Sequence, residues 1–395
     1  FKQKTAYEIM PSLVGSEMCI RDRGLVLRRL PSGCKYCIAG QKMVIFITGL
    51  CNWPNSCNWY CPVSSGRKGK DITFANERLI RRDREDKDLI EEAVISGSKG
   101  ASITGGEPFL VFPRVIKYIS LLKDYFGDGY HIHLYTNGTL VNKNNLIELK
   151  NAKLDEIRFH SFNENIIKKV KLASELGLSA GLEIPAIPGL EKRIKELIKK
   201  ADSEGVKFIN LNEFEGTFET YKRLQERGFK INKETVGSVT KSEKIAIEIL
   251  GWSRRNTRNI SVHYCPIWVK DKVQLKNRFL RRAEMIRKPY EEITNEGLLL
   301  KGVIVPTQKD TKTITRIIET LVNCGFDKQL ITWNSEKNWI EVPHKKLTHK
   351  VFEILRKKLG INIQFAIVEE FPTAEREIVN ITYLNTSRED KLYEN

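Results

Sequence analysis

The sequence predicts an α/β chain: an open or incomplete barrel of six β/α units, followed by a smaller α+β domain. Two patterns carry that prediction. From residue 42 onward, short apolar runs alternate with amphipathic helical stretches. After residue 296 the order becomes β-α-β-β-α-β. A third observation narrows the class: no apolar run approaches the ~20 residues that span a bilayer.

The strands of the first region are expected at 44–48, 100–104, 131–136, 156–160, 180–184 and 208–211. Helices fall between them at 89–96, 115–125, 144–149, 166–176 and 192–201, with apolar residues three and four apart, as in Ile194, Leu197 and Ile198. Strands that alternate with helices imply right-handed crossovers and a parallel sheet, with chemistry at the C-terminal strand ends. In the second region a strand at 298–305 precedes a helix at 311–322. Strands at 329–333 and 339–342, a helix at 347–359 and a strand at 362–368 complete the ferredoxin-like split unit. That arrangement hosts many functions and names none. The expected domains are an N-terminal CxxC segment at 24–41, the partial barrel at 42–215, a helical extension at 216–295 and the α+β domain at 296–395.

Composition excludes several classes. The chain has 395 residues, 41% of them hydrophobic and 29% charged, which rules out disordered and collagen-like chains. Eight Cys in this length are too sparse for a disulfide scaffold and fit metal-binding thiols in a reducing, cytoplasmic setting without a membrane. Net charge is +17, from 66 Lys and Arg against 49 Asp and Glu. A polyanionic partner such as RNA, an anionic cofactor and a Lys/Glu-rich surface of ion pairs all produce that balance. Residues 1–23 read KQKTAYEIMPSLVGSEMCIRDR after an opening Phe1. This resembles translated sequencing-adapter read-through, lacks the regions of a signal peptide, and is set aside together with Cys19.

Chemistry concentrates after the first long strand. Cys51, Cys57 and Cys61 lie in one loop, GLCNWPNSCNWYCP. Three thiolates so close together suit three irons of a cubane cluster and leave the fourth iron open to a small molecule. A zinc site is the alternative, but the loop contains no fourth Cys or His. The second strand ends in Thr104-Gly105-Gly106-Glu107-Pro108, where two glycines allow close backbone approach and a carboxylate faces an ammonium group. Both features lie on the same face of the predicted sheet.

With those motifs the chain resembles a radical S-adenosylmethionine (SAM) enzyme, of the branch related to pyruvate formate-lyase activating enzymes and of a mainly archaeal family within it. The resemblance implies a partial (β/α)6 barrel of radical SAM type. It implies that Cys51, Cys57 and Cys61 hold a [4Fe-4S] cluster whose open iron chelates SAM. It also places Tyr60 near the adenine and Gly105, Gly106, Glu107 and Pro108 at the methionine amino group. A flavodoxin- or ferredoxin-type electron donor would supply the reducing electron. The spacing departs from the common C-x3-C-x2-C: here it is C-x5-C-x3-C, a wider loop.

Further strand ends extend the candidate site. Thr136 and Asn137 close the third strand; Arg158 and His160 share a face of the fourth. Glu183 lies on the fifth, and Asn210 and Asn212 alternate on the sixth. Each alone reads equally as a satisfied polar group, but the set points into one barrel mouth. Cys34 and Cys37 form a second CxxC pair, and with His263 and Cys265 they make a candidate auxiliary zinc or Fe–S site. The segment 270–282 is basic and reads as a solvated helix or a phosphate contact. The substrate stays open between an activase-type protein substrate and RNA. The reading from a different class is a non-catalytic zinc protein that binds nucleic acid.

Overall fold

The computed structural model describes residues 18–19, 24–52, 57–232, 237–360 and 362–384. The chain falls into two compact units, 1–277 and 278–395. Of the set-aside segment, only Met18–Cys19 lies among the described residues.

The first unit begins with strands β1 (Met18–Cys19) and β2 (Leu25–Leu27) and helix α1 (Ser32–Ile38). Strand β3 (Lys42–Phe46) leads to the small hairpin β4 (Phe74–Ala75) and β5 (Arg78–Leu79) and then to α2 (Glu85–Ile95). Strands β6 (Gly100–Thr104), β7 (His131–Thr136) and β8 (Glu156–Phe159) alternate with α3 (Phe112–Phe126), α4 (Lys143–Asn151) and α5 (Ile166–Glu175). Then come β9 (Ser179–Ala186), α6 (Glu191–Ser203) and β10 (Phe208–Glu213). Helices α7 (Tyr221–Glu226) and α8 (Ser242–Asn256) precede β11 (Ser261–Cys265), the short α9 (Ile267–Val269), a π-helix at Lys270–Leu275 and α10 (Lys276–Ile286).

All these strands form one sheet, ordered β1-β2-β11-β10-β9-β8-β7-β6-β3-β4-β5. β3 and β6 through β11 pair in parallel throughout, so their C-terminal ends all point the same way. The sheet has two free ends and is therefore an incomplete barrel, as the alternation predicts. One strand departs from the expected pattern: Ser261–Cys265 pairs in parallel with β10, where the sequence suggests a helical extension. Its alternation, ISVHYC, is short and is followed by helical residues, which hide it.

Period-2 geometry separates two faces. On one face Ile45, Ala101, Ile103, Ile132, Leu134, Ile157, Leu182, Ile209, Leu211 and Val262 are wholly buried among helix residues such as Val115, Ile119, Leu146, Val170, Ile194 and Leu197. On the other lie His131, His133, Tyr135, Glu156, Arg158, Glu183, Asn210, Asn212 and His263. A strand whose second face is polar must pair those groups with each other or with a ligand.

The second unit has strands β12 (Glu292–Ile293), β13 (Leu299–Pro306), β14 (Thr332–Asn334), β15 (Trp339–Val342), β16 (Ile363–Glu370) and β17 (Ile378–Tyr383), with helices α11 (Thr311–Asn323) and α12 (His349–Leu359). The order β14-β15-β13-β16-β17, antiparallel throughout, contains the split β-α-β-β-α-β unit plus an added edge strand. Ile317, Leu321, Leu355 and Phe365 fill its core, with Cys324 packed against them. Lys301 is buried between Glu341 at 2.8 Å and Glu370 at 2.9 Å, which gives the acidic end of β16 a structural use.

Candidate functional site

The thiol loop leaves β3 and is closed at a neck. Gly49 N–H donates to Lys70 O at 2.8 Å, and Gly69 N–H donates back to Gly49 O at 2.8 Å. A Cβ on Gly49 would sit 1.8 Å from Arg67 O, so only glycine fits there. Asp71 clamps the outside of the neck. It accepts a bidentate fork from Arg114, both bonds 2.8 Å, a hydroxyl bond from Thr48 at 2.9 Å and a further bond from Arg82 at 3.0 Å. Arg114 also donates to Ile47 O at 2.9 Å, so one guanidinium from α3 fixes the strand end from which the loop departs.

The GGEP turn is zipped onto that same exit. Gly106 N–H donates to Thr48 O and Glu107 N–H to Leu50 O, each at 2.7 Å. The two glycines therefore let the chain's own backbone come close on the side of Thr48 and Leu50. A Cβ on Gly106 would lie 1.9 Å from Leu50 O, and one on Gly105, at φ +144°, 2.4 Å from Thr48 O. Gly106→Ala should cost about 1–3 kcal/mol, because the clash is with backbone that cannot step aside. A thermal melt against wild type checks this; equal midpoints would contradict it.

Glu107 is fully buried and turned inward. It accepts from Thr136 Oγ1 at 2.7 Å, Asn137 N–H at 2.8 Å and Phe109 N–H at 3.2 Å. Burial raises its carboxyl pKa despite those bonds. Its visible work is to bind the end of β7 to the end of β6, with Pro108 buried behind it. Asn137 continues the chain of contacts: its amide donates to Asn52 Oδ1 at 2.7 Å, beside Cys51. Thus the exits of β3, β6 and β7 form one hydrogen-bonded rim under the thiol loop.

Asp71 gives this rim a pH signature. Arg114 holds its carboxyl down at about 2, with help from Thr48 and Arg82 and against the effect of burial. The folded value lies below the ordinary value near 4. The clasp's contribution is therefore present above about pH 4 and is lost as pH falls toward 2. Asp71→Asn should flatten the acid limb of a melting-temperature profile between about pH 4 and 2. An unchanged profile would show that the clasp is idle.

Cys51, Cys57 and Cys61 are partly buried at the loop's inner side. Burial pushes the Cys57 thiol up to about 12, and the charges of Cys61 and Cys51 push the same way. Cys57 thus lies beside two further thiols in a setting where a cation would favour its ionised form. Among the described residues no three His, Cys, Asp or Glu side chains stand close enough for a single metal ion. The loop offers three thiols and no fourth Cys or His, a set that fits three irons of a cubane better than a tetrahedral zinc site.

The adjoining aromatic points into the barrel. Tyr60 is almost buried, edge-on to Trp59 and Phe214, and its hydroxyl donates to His160 Nε2 at 2.9 Å. His160 Nδ1–H donates to Glu183 O at 3.0 Å, which fixes the tautomer, and burial lowers its pKa, so it stays neutral. The Glu183 carboxylate accepts from Arg158 at 2.7 Å and from the amides of Asn210 and Asn212 at 3.0 Å each. Burial would raise its pKa; Arg158 and the two amides overrule that and lower it. The structure thus brings together His160, Glu183, Asn210 and Asn212 at one end of the barrel, with Tyr60 reaching them from the thiol loop.

The expected auxiliary metal set does not assemble. Cys34 is buried beneath Glu183 and receives hydrogen bonds from Arg158 Nη2 and Asn210 Nδ2, both at 3.4 Å. Cys265 receives one from Gln274 at 3.6 Å, and His263 Nδ1 meets Asn210 Oδ1 at 3.3 Å. The Arg158 guanidinium lies against the Cys34 sulfur, and among the described residues Cys34, Cys37, His263 and Cys265 do not come together closely enough to hold one metal ion. Asp71, Arg114 and Asn52 carry no signal in the sequence. Each is remote along the chain from its partners, apart from the weak hint that Arg114 opens the helix that follows GGEP.

Residues 27–161 match the model of the radical SAM superfamily. A protein of Methanocaldococcus jannaschii named "Putative glycyl-radical enzyme activating enzyme MJ0021" is 38% identical over 359 residues, which cover 88% of this chain and 91% of that protein. Among solved structures, Streptococcus suis SuiB has a TM-score of 0.40 at 12% identity, covering 65% of this chain and 54% of its own. The radical SAM methyltransferase TsrM from Kitasatospora setae has a TM-score of 0.33 at 12% identity, covering 69% of this chain and 58% of its own.

Proposed function

Because this chain belongs to the radical SAM superfamily, in the family related to pyruvate formate-lyase activating enzymes, we propose that it activates a protein partner by abstracting hydrogen from a polypeptide substrate. Its cofactors are a [4Fe-4S] cluster and SAM, which together supply, on one-electron reduction, a 5′-deoxyadenosyl radical. The observation that carries the reading is the shared rim: a three-thiol loop and the GGEP turn hydrogen-bonded into one unit at the C-terminal strand ends.

The chain's own residues bind, orient and exclude water. Cys51, Cys57 and Cys61 would hold the cluster. Gly105, Gly106 and Pro108 set the path of the turn beside it, while Glu107, through Thr136 and Asn137, holds that turn to β7. Tyr60 closes the loop's inner side, and His160 holds its hydroxyl in place. Glu183, Asn210 and Asn212 present fixed hydrogen-bonding groups across the mouth, in the direction of ribose or substrate. A flavodoxin- or ferredoxin-type donor suits the single electron required. No helix among the described residues is long and apolar enough to cross a membrane.

The test is anaerobic purification and cluster reconstitution, then dithionite and SAM, with chromatography for 5′-deoxyadenosine. A brown protein that forms 5′-deoxyadenosine is expected. A colourless, zinc-bearing protein that forms none would overturn the reading in favour of the zinc-binding alternative.

A further inference from the structure

The polar face of the barrel continues past Glu183 to the ends of β10 and β11. At its edge, directly after β11 and α9, the chain forms a π-helix, Lys270–Leu275. Six residues of π-helix are rare, because the wide turn sacrifices packing along its axis; such turns cluster at functional sites. This one is anchored on both sides. Asn277, just beyond it, donates to Ile38 O at 2.7 Å, and Gln274 donates to the Cys265 sulfur at the end of β11 at 3.6 Å.

The turn aims Lys270 over the strand ends rather than into solvent. Its side chain is 28% exposed, and its ammonium lies 3.5 Å from Glu215 Oε1, just past β10. Burial works against that charge; Glu215, Cys265 and Glu183 hold its pKa up. An ammonium has three donors, and the ion pair with Glu215 occupies one of them. Nearby, Asn212 commits one amide hydrogen to Glu183. The sector therefore offers an ammonium, a half-exposed carboxylate and two carboxamides, on the side of the barrel away from GGEP.

Its charge balance separates ligand classes. Arg158, Lys42 and Lys270 are its cations. Against them stand Glu156 and Glu183, which share Arg158. Glu215 adds to these. Three bases against three acids leave no excess of positive charge, so the chain's net positive charge is not concentrated here. Donors beside acceptors, without an excess of positive charge, instead match an amide main chain, whose C=O and N–H need both.

We propose that Lys270 and Gln274, presented by the π-helical turn across the ends of β10 and β11, form the substrate-side wall of the site and determine specificity for a polypeptide main chain. This rests on the activating-enzyme reading and gives it a substrate-recognition element. Lys270 and Gln274 donate to substrate carbonyls; Glu215 and the Gln274 carbonyl accept from substrate N–H groups. Both residues are specificity determinants, remote from the cluster loop.

The test uses the full chain with its reconstituted cluster and a fluorophore-labelled, end-blocked pentapeptide with a central glycine and no charged side chain. Binding is read by fluorescence anisotropy, with bulk tRNA and free glycine as competing probes. Wild type should bind the peptide, and Lys270→Met/Gln274→Leu should weaken it about tenfold or more. Lys270→Arg, which keeps the charge and the donors, should recover most of the affinity, whereas a merely structural role would not distinguish Met from Arg at equal melting temperature. The proposal is overturned if the double variant binds as wild type does, if wild type does not bind the peptide, or if tRNA or free glycine is the ligand whose affinity falls in the variant. Failure of wild type to form 5′-deoxyadenosine would sink the radical reading instead, so the two failures are told apart.

Discussion

Cys57→Ala is expected to yield a colourless protein in which SAM cleavage falls by more than about a hundredfold, whereas Cys34→Ala/Cys37→Ala keeps its iron. Outer-shell partners of a metal site typically cost about 10–100-fold when removed, and a direct ligand costs more. The two variants differ in what surrounds the sulfur. Cys57 has Cys51 and Cys61 for neighbours, and their charges raise its pKa rather than lower it. Cys34 already has a cation, the Arg158 guanidinium, at 3.4 Å. Iron analysis and the visible spectrum of both proteins after identical reconstitution decide the matter. Iron retained by Cys57→Ala, or lost from the Cys34/Cys37 variant, would reverse the assignment of these thiols.

Much of this architecture is legible in the amino-acid sequence, and the reasons are physical. Parallel strands and amphipathic helices write different periods into the chain, so β6, β7 and α3 fall where the pattern puts them. Strand β11 escapes because its five residues are followed at once by helix and π-helix. The positions of Cys51, Cys57, Cys61 and GGEP are readable because the chemistry is compressed into two short motifs. Their support is not. Asp71 and Arg114 are 43 residues apart, and Asn52 and Asn137 are 85 apart. No local pattern announces such pairs. The glycines of GGEP also carry a close approach that the motif does not announce, that of Thr48 and Leu50 in the same chain. The CxxC at Cys34 resembles half of a metal site because spacing reveals nothing about a guanidinium that arrives from β8. Likewise Lys270 reads as one of several solvated bases. Only a turn wider than an α-helix shows that it faces the barrel.

Arg158→Met should be the most destabilising single substitution in the barrel, and the reason lies in what it would leave behind. Arg158 is 2% exposed. It donates to Glu156 Oε1 at 2.6 Å, to Glu183 Oε2 at 2.7 Å and to the Tyr135 hydroxyl at 3.2 Å. Glu156 in turn accepts Gly33 N–H at 3.1 Å, so the same guanidinium indirectly anchors the start of α1 to β8. Methionine fills similar volume, and the loss is therefore electrostatic: two buried carboxylates lose the cation they share. Breaking a buried pair in this way costs about 3–5 kcal/mol. For a unit of this size that lowers the melting temperature by on the order of 10 °C. Cavity formation would predict the same sign, so a second variant is needed. Arg158→Met/Glu156→Gln removes one of the stranded charges and should recover part of the loss, a coupling that volume alone does not produce. If the double variant is less stable than the single, the guanidinium matters through packing, and the polar floor beneath Glu183 does not hold the site in the way described.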